Sequence, residues 1–229
     1  MAKGLGGCRM IQGNAFKILE NPLDLVLGNF VIEFDSDQDV HRVLESLHEV
    51  RENMRTKPSF RVFACDGDRP AGIAQGLVSA GMALAYRVEH FYGDLPGEPS
   101  PGTAPVPAER RQEVGAFMVD TIHKMRPGET REAIIRSIVH SPHEIWAYEA
   151  NGCLLGAALL AESDHALGLY NLCVMAEARR NGIGTSMVKH CLHTAYERNK
   201  PLVLQANAQN GRWYERMGLK NSGKLEAYR

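Results

Sequence analysis

Between Leu169 and Leu219 the chain reads LYNLCVMAEARRNGIGTSMVKHCLHTAYERNKPLVLQANAQNGRWYERMGL. An apolar, strand-like run leads into two arginines and two glycines, and a long amphipathic stretch begins at the second glycine. Gly182 and Gly184 let successive backbone N–H groups turn toward one point. The helix start adds unpaired donors and a partial positive charge. That is the chemistry of a phosphate cradle, with Arg179 and Arg180 supplying charge. It is not a dinucleotide fingerprint, since GxGxxG is absent, nor a Walker loop, since no Gly-Lys-Ser/Thr follows. Further on, Tyr214 offers a phenol with an ordinary pKa of about 10, able to donate a proton to a leaving group. Beside it, Trp213 shares the ordinary aromatic task of burying area.

The run Arg179-Arg180-Asn181-Gly182-Ile183-Gly184 matches the pattern Arg/Gln-x-x-Gly-x-Gly/Ala. A strand ending Leu172-Cys173-Val174 precedes it. Asn207, Asn210, Trp213, Tyr214, Gly218 and Leu219 follow in the pattern N-x-x-[AN]-x-x-[FW]-Y-x-x-x-G-[FL]. With these three blocks in order, residues 109–229 resemble the GNAT superfamily of N-acetyltransferases. The resemblance implies an α/β fold with a mixed, mostly antiparallel sheet flanked by helices, in single or tandem form. It also implies acetyl-CoA as co-substrate, no metal, and an amine as acceptor.

Carried over position by position, the backbone of Leu172, Cys173 and Val174 would pair with the pantetheine arm and polarise the thioester carbonyl. Arg179, Arg180, Asn181, Gly182, Ile183, Gly184 and Thr185 would hold the pyrophosphate. Asn207 would contact the pantetheine, and Tyr214 would stand near the sulfur as general acid. The implied reaction is direct attack by a neutral amine, for which the pocket positions, polarises and deprotonates. Candidate bases are Glu149, Glu162, Asp164 and His165. Glu162 is the first choice and a water chain the alternative, because Gly168 stands where some family members carry a glutamate. A competing expectation is a non-catalytic acyl-CoA-binding regulatory module that keeps the loop and has lost transfer.

The formal net charge is -1, from 26 Lys and Arg against 27 Asp and Glu. There is no long basic block, so a nucleic-acid partner is not expected, and the balance tilts slightly toward a small-molecule amine over a protein. Five cysteines without a CxxC pair argue against a disulfide framework or zinc knuckle and for a reducing, cytoplasmic setting. Cys173, in an apolar strand, reads as a small buried hydrophobe. His190 and His193, three apart on a helix without a third ligand, read as solvent-facing. The Gly4-Leu5-Gly6-Gly7 run reads as a flexible terminus without an apolar segment after it, and no stretch has the length of a membrane span.

These residues need elements to hold them. Gly93 to Pro107 carries five prolines and three glycines, which suit neither a helix nor a central strand. It reads as a linker or long loop between an N-terminal α/β module, 1–92, and the acetyltransferase-like domain, 108–229. In the first module, apolar spacing predicts a helix over 39–54 capped by Asp37 or Asp39. Phe30–Phe34, Phe60–Cys65 and Gly72–Val78 read as strands, the last two as a hairpin across Asp66-Gly67-Asp68, with a further apolar stretch at 82–88. After the linker come helices at 109–125 and 129–140, broken at Arg126-Pro127-Gly128, and a hairpin of Ile145–Glu149 and Leu154–Ala161 around Asn151-Gly152. A strand Leu167–Met175, a helix Thr185–Arg198, a strand Leu202–Ala206 and a short helix Asn210–Met217 complete the domain. Phe60–Gly76 echoes Ile145–Leu160, as either a duplication or shared turn chemistry would produce, so the first module could be a degenerate GNAT-like unit without a phosphate loop. Only one strand fits after Leu219, where the family usually has two. The N-terminal half, or a second subunit in a homodimer, is therefore expected to cover the sheet edge.

Overall fold

The computed structural model describes residues 9–20, 29–54, 60–124 and 128–229; Gly4–Gly7, Cys8 and Arg126-Pro127 lie outside them. The elements are β1 (Arg9–Gln12), β2 (Lys17–Glu20), β3 (Phe30–Ile32), α1 (Val40–Asn53), β4 (Arg61–Cys65), α2 (Ile73–Ser79) and β5 (Leu84–Gly93). They continue with β6 (Thr103–Pro105), α3 (Arg111–His123), α4 (Glu129–Val139), β7 (Glu144–Ala150), β8 (Cys153–Glu162), β9 (Leu167–Val174), α5 (Ile183–Glu197), β10 (Leu202–Ala206), α6 (Ala208–Glu215) and β11 (Lys220–Tyr228). The chain divides into two compact units, Met1–Glu89 with Gly223–Arg229, and His90–Ser222.

In the first unit the strand order is β1-β2-β3-β4-β11. All neighbours are antiparallel except β3 and β4. Of the two candidate caps for α1, Asp39 serves, its carboxylate accepting from the Arg42 N–H at 3.1 Å. The hairpin expected after Phe60 does not form. Phe60–Cys65 supplies β4, but Gly72–Val78 is the helix α2. Ile73 and Leu77, four apart, are both buried, and this helical spacing outweighs the apparent alternation. Gly76 lets α2 approach α1, since a Cβ there would sit 2.7 Å from Val40 Cγ1 and 2.9 Å from Leu44 Cδ1. The echo of Ile145–Leu160 is therefore one of sequence and not of local structure.

In the second unit the order is β5-β10-β9-β8-β7-β6, beginning from the His90–Gly93 end of β5. β10 and β9 run parallel, whereas β6, β7, β8 and β9 are antiparallel. Asn151 and Gly152 both adopt positive φ, 52° and 72°, the conformation that a two-residue hairpin turn requires. One face of this sheet packs on α5 through Trp146, Ala158, Leu160, Leu169 and Leu204. The other packs on α3 and α4 through Ile145, Ala147, Ala157, Leu159 and Cys173. Met187 and Leu192 fix α5 to the sheet and are buried; truncating either to Ala costs about 2–5 kcal/mol. The sheet edge beyond β10 is covered, as expected, by a strand from the N-terminal half, β5, while β11 pairs with β4 in the first unit.

The proline-rich segment belongs to the second unit and is anchored to it. Residues 94–102 are largely exposed, yet the Ser100 N–H donates to His190 Nδ1 at 3.0 Å, and Ser100 Oγ bonds Ser186 and Thr103. His190 thus holds a loop, where the sequence suggested a solvent-facing side chain. Its neighbour Gly97 lies directly on α5, with an added Cβ 2.0 Å from the Lys189 carbonyl oxygen. Gly97→Ala is expected to cost about 1–3 kcal/mol, since backbone on backbone cannot yield as a side chain can. Urea unfolding of the two proteins measures it, and an unchanged midpoint would contradict the anchoring.

Candidate active site

Strands β9 and β10 pair only at Leu167–Leu169 with Leu202–Leu204. Past that point β9 runs on to Val174 and β10 to Ala206 without laddering to each other, so the parallel pair opens toward its C-terminal end. A bulge in β9 accompanies the opening. Leu159 opposes Tyr170 and Ala157 opposes Cys173, so Asn171 and Leu172 together face one residue of β8. Asn171 takes the extra residue's strain at φ 51°. Bulges re-aim backbone groups, and here Leu172–Val174 has no ladder partner on β10, the Val174 carbonyl accepting instead from Arg179 Nε.

A helix begins at the mouth of this split on each strand. After β9, Arg180 (φ 66°) and Gly182 (φ 79°) turn the chain into α5. Gly182 is the cap residue and provides no side-chain bond, so the first-turn N–H groups keep their unpaired state and positive field. No acidic residue occupies that turn. Arg179 Nε donates to the Val174 carbonyl at 3.0 Å, which ties the loop to the strand end while the rest of its guanidinium stays exposed. These residues fit an anionic group.

Trp213 locks the second helix start to the first. Its Nε1 donates to Thr185 Oγ1 at 3.2 Å, and its ring lies 3.4 Å from where a Cβ on Gly184 would project. Asn207 caps α6, its side-chain oxygen accepting from the Asn210 N–H at 3.0 Å, which leaves the amide NH₂ as the donor available to a ligand. Tyr214 is buried between Phe91 and Trp213, with ring centroids 5.8 and 4.6 Å away. Burial, with Cys191 beside it, pushes its phenol up to about 12. Packing and a proton-bearing hydroxyl coexist in that side chain.

The structure therefore brings together Leu172–Val174, Arg179–Thr185, Asn207 and Tyr214, all at the C-terminal end of the β9/β10 pair. It does not bring Glu162 to them. Glu162 pairs with Leu167 at the other end of β8, about 20 Å of strand from Gly156 by its residue count. There it accepts from Lys200 Nζ at 2.6 Å and Arg198 Nη1 at 2.8 Å. Those cations, Lys200 first, hold its carboxyl below the usual range. Asp164 and His165 lie in the same exposed turn, and Glu149 faces Arg110 at 2.6 Å. Gly168 carries no carboxylate for a steric reason, since the Tyr170 ring lies 2.6 Å from where its Cβ would be. We therefore expect Glu162→Gln to leave acetyl transfer within about twofold of wild type, well short of the 10²-fold or more that losing a general base costs. Steady-state kinetics checks it, and a hundredfold loss would restore Glu162 as the base.

Cys173 and Cys191 are buried and placed for packing, whereas Cys153 is exposed at the β7–β8 turn. Burial raises Cys173 and Cys191 to about 12, far from a nucleophilic thiolate. Sequence reasoning missed the bulge at Asn171 and the early end of β9/β10 pairing. The composition of NLCV carries no signal for either.

A parallel pair that splits at its C-terminal end, with a bare helix start at the mouth, defines an acyl-CoA acyltransferase type of fold. Residues 107–219 match the sequence model of the acetyltransferase (GNAT) family, and the chain carries a domain of that family. Its fold is shared with a GCN5-related N-acetyltransferase from Kribbella flavida at 17% identity and TM-score 0.73, covering 99% of this chain and 91% of that one. A GCN5-related N-acetyltransferase from Sphaerobacter thermophilus aligns at 14% identity and TM-score 0.66, covering 99% and 82%. A tandem GNAT protein from the clavulanic acid biosynthesis pathway aligns at 12% identity and TM-score 0.62, covering 93% and 78%. At these identities the likeness is one of fold. No curated protein sequence matches the chain. Among the described residues, no helix is long and apolar enough to cross a membrane, and no cluster of His, Cys, Asp or Glu is placed to hold a metal ion.

Proposed function

We propose that the second unit is an N-acetyltransferase that uses acetyl-CoA and a primary amine. The observation that carries this is the β9/β10 split with the uncapped start of α5 at its mouth. The pyrophosphate rests on the N–H groups of Gly182–Thr185, with Arg179 and Arg180 alongside. The pantetheine enters the split and takes the place of the missing β10 pairing against Leu172–Val174, with the Asn207 amide beside it. A carbonyl hydrogen-bonded to that strand is polarised as the amine attacks, and preorganised donors of this kind supply much of the rate in acyl transfer. Burial of Cys173 and Cys191, the thiols on β9 and α5, makes a covalent intermediate on either unfavourable, in keeping with direct attack.

The first unit acts as a GNAT-like module without a phosphate loop of its own, a proposal supported by the fold shared with a tandem GNAT protein over 93% of this chain. Incubation with acetyl-CoA and a broad amine panel, followed by thiol release and product mass, tests the activity. Turnover of any amine supports transfer. Tight acetyl-CoA binding without transfer across the panel supports a regulatory binding module instead.

A further inference from the structure

Direct attack needs a base, because an alkyl amine near pKa 10 is protonated at neutral pH. None of the carboxylates near the β8–β9 turn stands at the split. Alternation along the strands of the second unit shows what does. On β5, Phe91 packs in the α5 core and Gly93 lies against Leu192, so His90 and Tyr92 point to the other face. On β10, Leu202, Leu204 and Ala206 pack toward α5, which sends Gln205 to that same other face. Tyr170 of β9 joins the core beneath α3 and α4 and shares it too.

Gln205 is the first residue past the last β9/β10 pair, and its Nε2 lies 3.1 Å from His90 Nε2. The amide nitrogen is a donor, so this imidazole nitrogen carries the lone pair, which accepts from the amide until an incoming ammonium replaces it. Ser222 Oγ bonds the His90 carbonyl, fixing the backbone of β5 at this level. With the phosphates held at α5 on one face and the arm in the split, the reactive end of the cofactor meets an amine arriving from the opposite face. His90, half-buried, stands on that face.

We infer that His90 is the general base of acetyl transfer and that Gln205 is a positioning residue that orients its ring; this rests on the acetyltransferase reading of the β9/β10 split. The ammonium displaces the Gln205 amide from His90 Nε2 and gives that nitrogen a proton, and the neutral amine then attacks the thioester carbonyl. The N–C bond forms, the C–S bond breaks with its electron pair on sulfur, and the second nitrogen proton passes by way of the Tyr214 phenol to the CoA thiolate. Imidazole suits the first step because its ordinary pKa of about 6.5 leaves it unprotonated near neutrality. The strands flanking β5 here are β10 and β11. β10 presents the uncharged Gln205 to His90. β11 contributes Lys220, whose Nζ lies 5.5 Å from the centre of the Tyr92 ring. Tyr92 of β5 and Tyr170 and Cys173 of β9 share that face.

The test is kcat/KM against pH for the full chain, with an amine the wild type acetylates, in wild type, His90→Gln and Gln205→Glu. Wild type should show an acid limb where the imidazole protonates. His90→Gln should lose about 10²-fold or more in kcat and lose that limb, while acetyl-CoA still raises its melting temperature. Gln205→Glu places a negative charge beside the ring, raises its pKa, and should move the limb to higher pH. Wild-type rate and limb in His90→Gln, or an unmoved limb in Gln205→Glu, would overturn the base assignment alone. A wild type that binds acetyl-CoA but acetylates no amine would overturn the transfer reading, and the base with it.

Discussion

Tyr214→Phe is expected to lower kcat by about 10²–10³-fold, the usual cost of removing one donor aimed at developing charge. The substitution keeps the ring between Phe91 and Trp213 and removes one oxygen, so the fold and acetyl-CoA stabilisation should be preserved. kcat and kcat/KM should fall together, since the hydroxyl acts on the departing sulfur and not on bound substrate. With its pKa pushed up to about 12, the phenol keeps its proton throughout the neutral range, so it should produce no basic limb between pH 7 and 9. A thiol near 8.5 holds its proton less tightly than this phenol. In the proposed transfer Tyr214 would therefore serve as a hydrogen-bond donor and relay, regaining a proton as it gives one. Unchanged kcat in the variant would reduce Tyr214 to packing.

The second large effect is expected at the helix start. Gly182 sits at φ 79° with no atom near its absent Cβ. The cost of Gly182→Asp there is conformational, plus a carboxylate set among donors meant for phosphate. At Gly184 a Cβ would make ordinary contact with Trp213, so the cost there comes from the second carboxylate. The double variant, Gly182→Asp with Gly184→Asp, should lose acetyl-CoA affinity by 100-fold or more while the α5 core of Met187, Val188, Cys191 and Leu192 holds the helix in place. Isothermal titration measures the loss. A double variant that binds as tightly as wild type would move the pyrophosphate elsewhere.

Much of the second unit was legible in the sequence because local and global signals agree there. Asn151-Gly152 dictates a hairpin turn, the α5 apolar face repeats at helical spacing, and Leu202–Ala206 matches β10 to the residue. The glycine turn into α5 was legible for the same reason, since Gly182 stands at the helix start with positive φ. The first unit misled where propensity was weak. Gly72–Val78 alternates enough to suggest a strand, and the burial of Ile73 and Leu77, four apart, with the close packing of Gly76 against Val40 and Leu44, settles it as a helix. Glu162 looked suitable by residue type and by its nearness to β9 in sequence. Register decides otherwise, since an antiparallel neighbour that starts beside the phosphate loop ends at the far side of the sheet. His90 lay beyond sequence reasoning altogether: β5 lies next to β10 only in the folded chain, more than 110 residues before Gln205.

The central claim, that the split and the α5 helix start hold acetyl-CoA, is tested most directly by thermal unfolding with and without acetyl-CoA in wild type and in the glycine double variant. At about 100 times its dissociation constant a ligand adds roughly 2.7 kcal/mol, or roughly 5–10 °C in a chain of this size. The account predicts that rise for wild type and none for the double variant. No rise in wild type, or an equal rise in both, would contradict it.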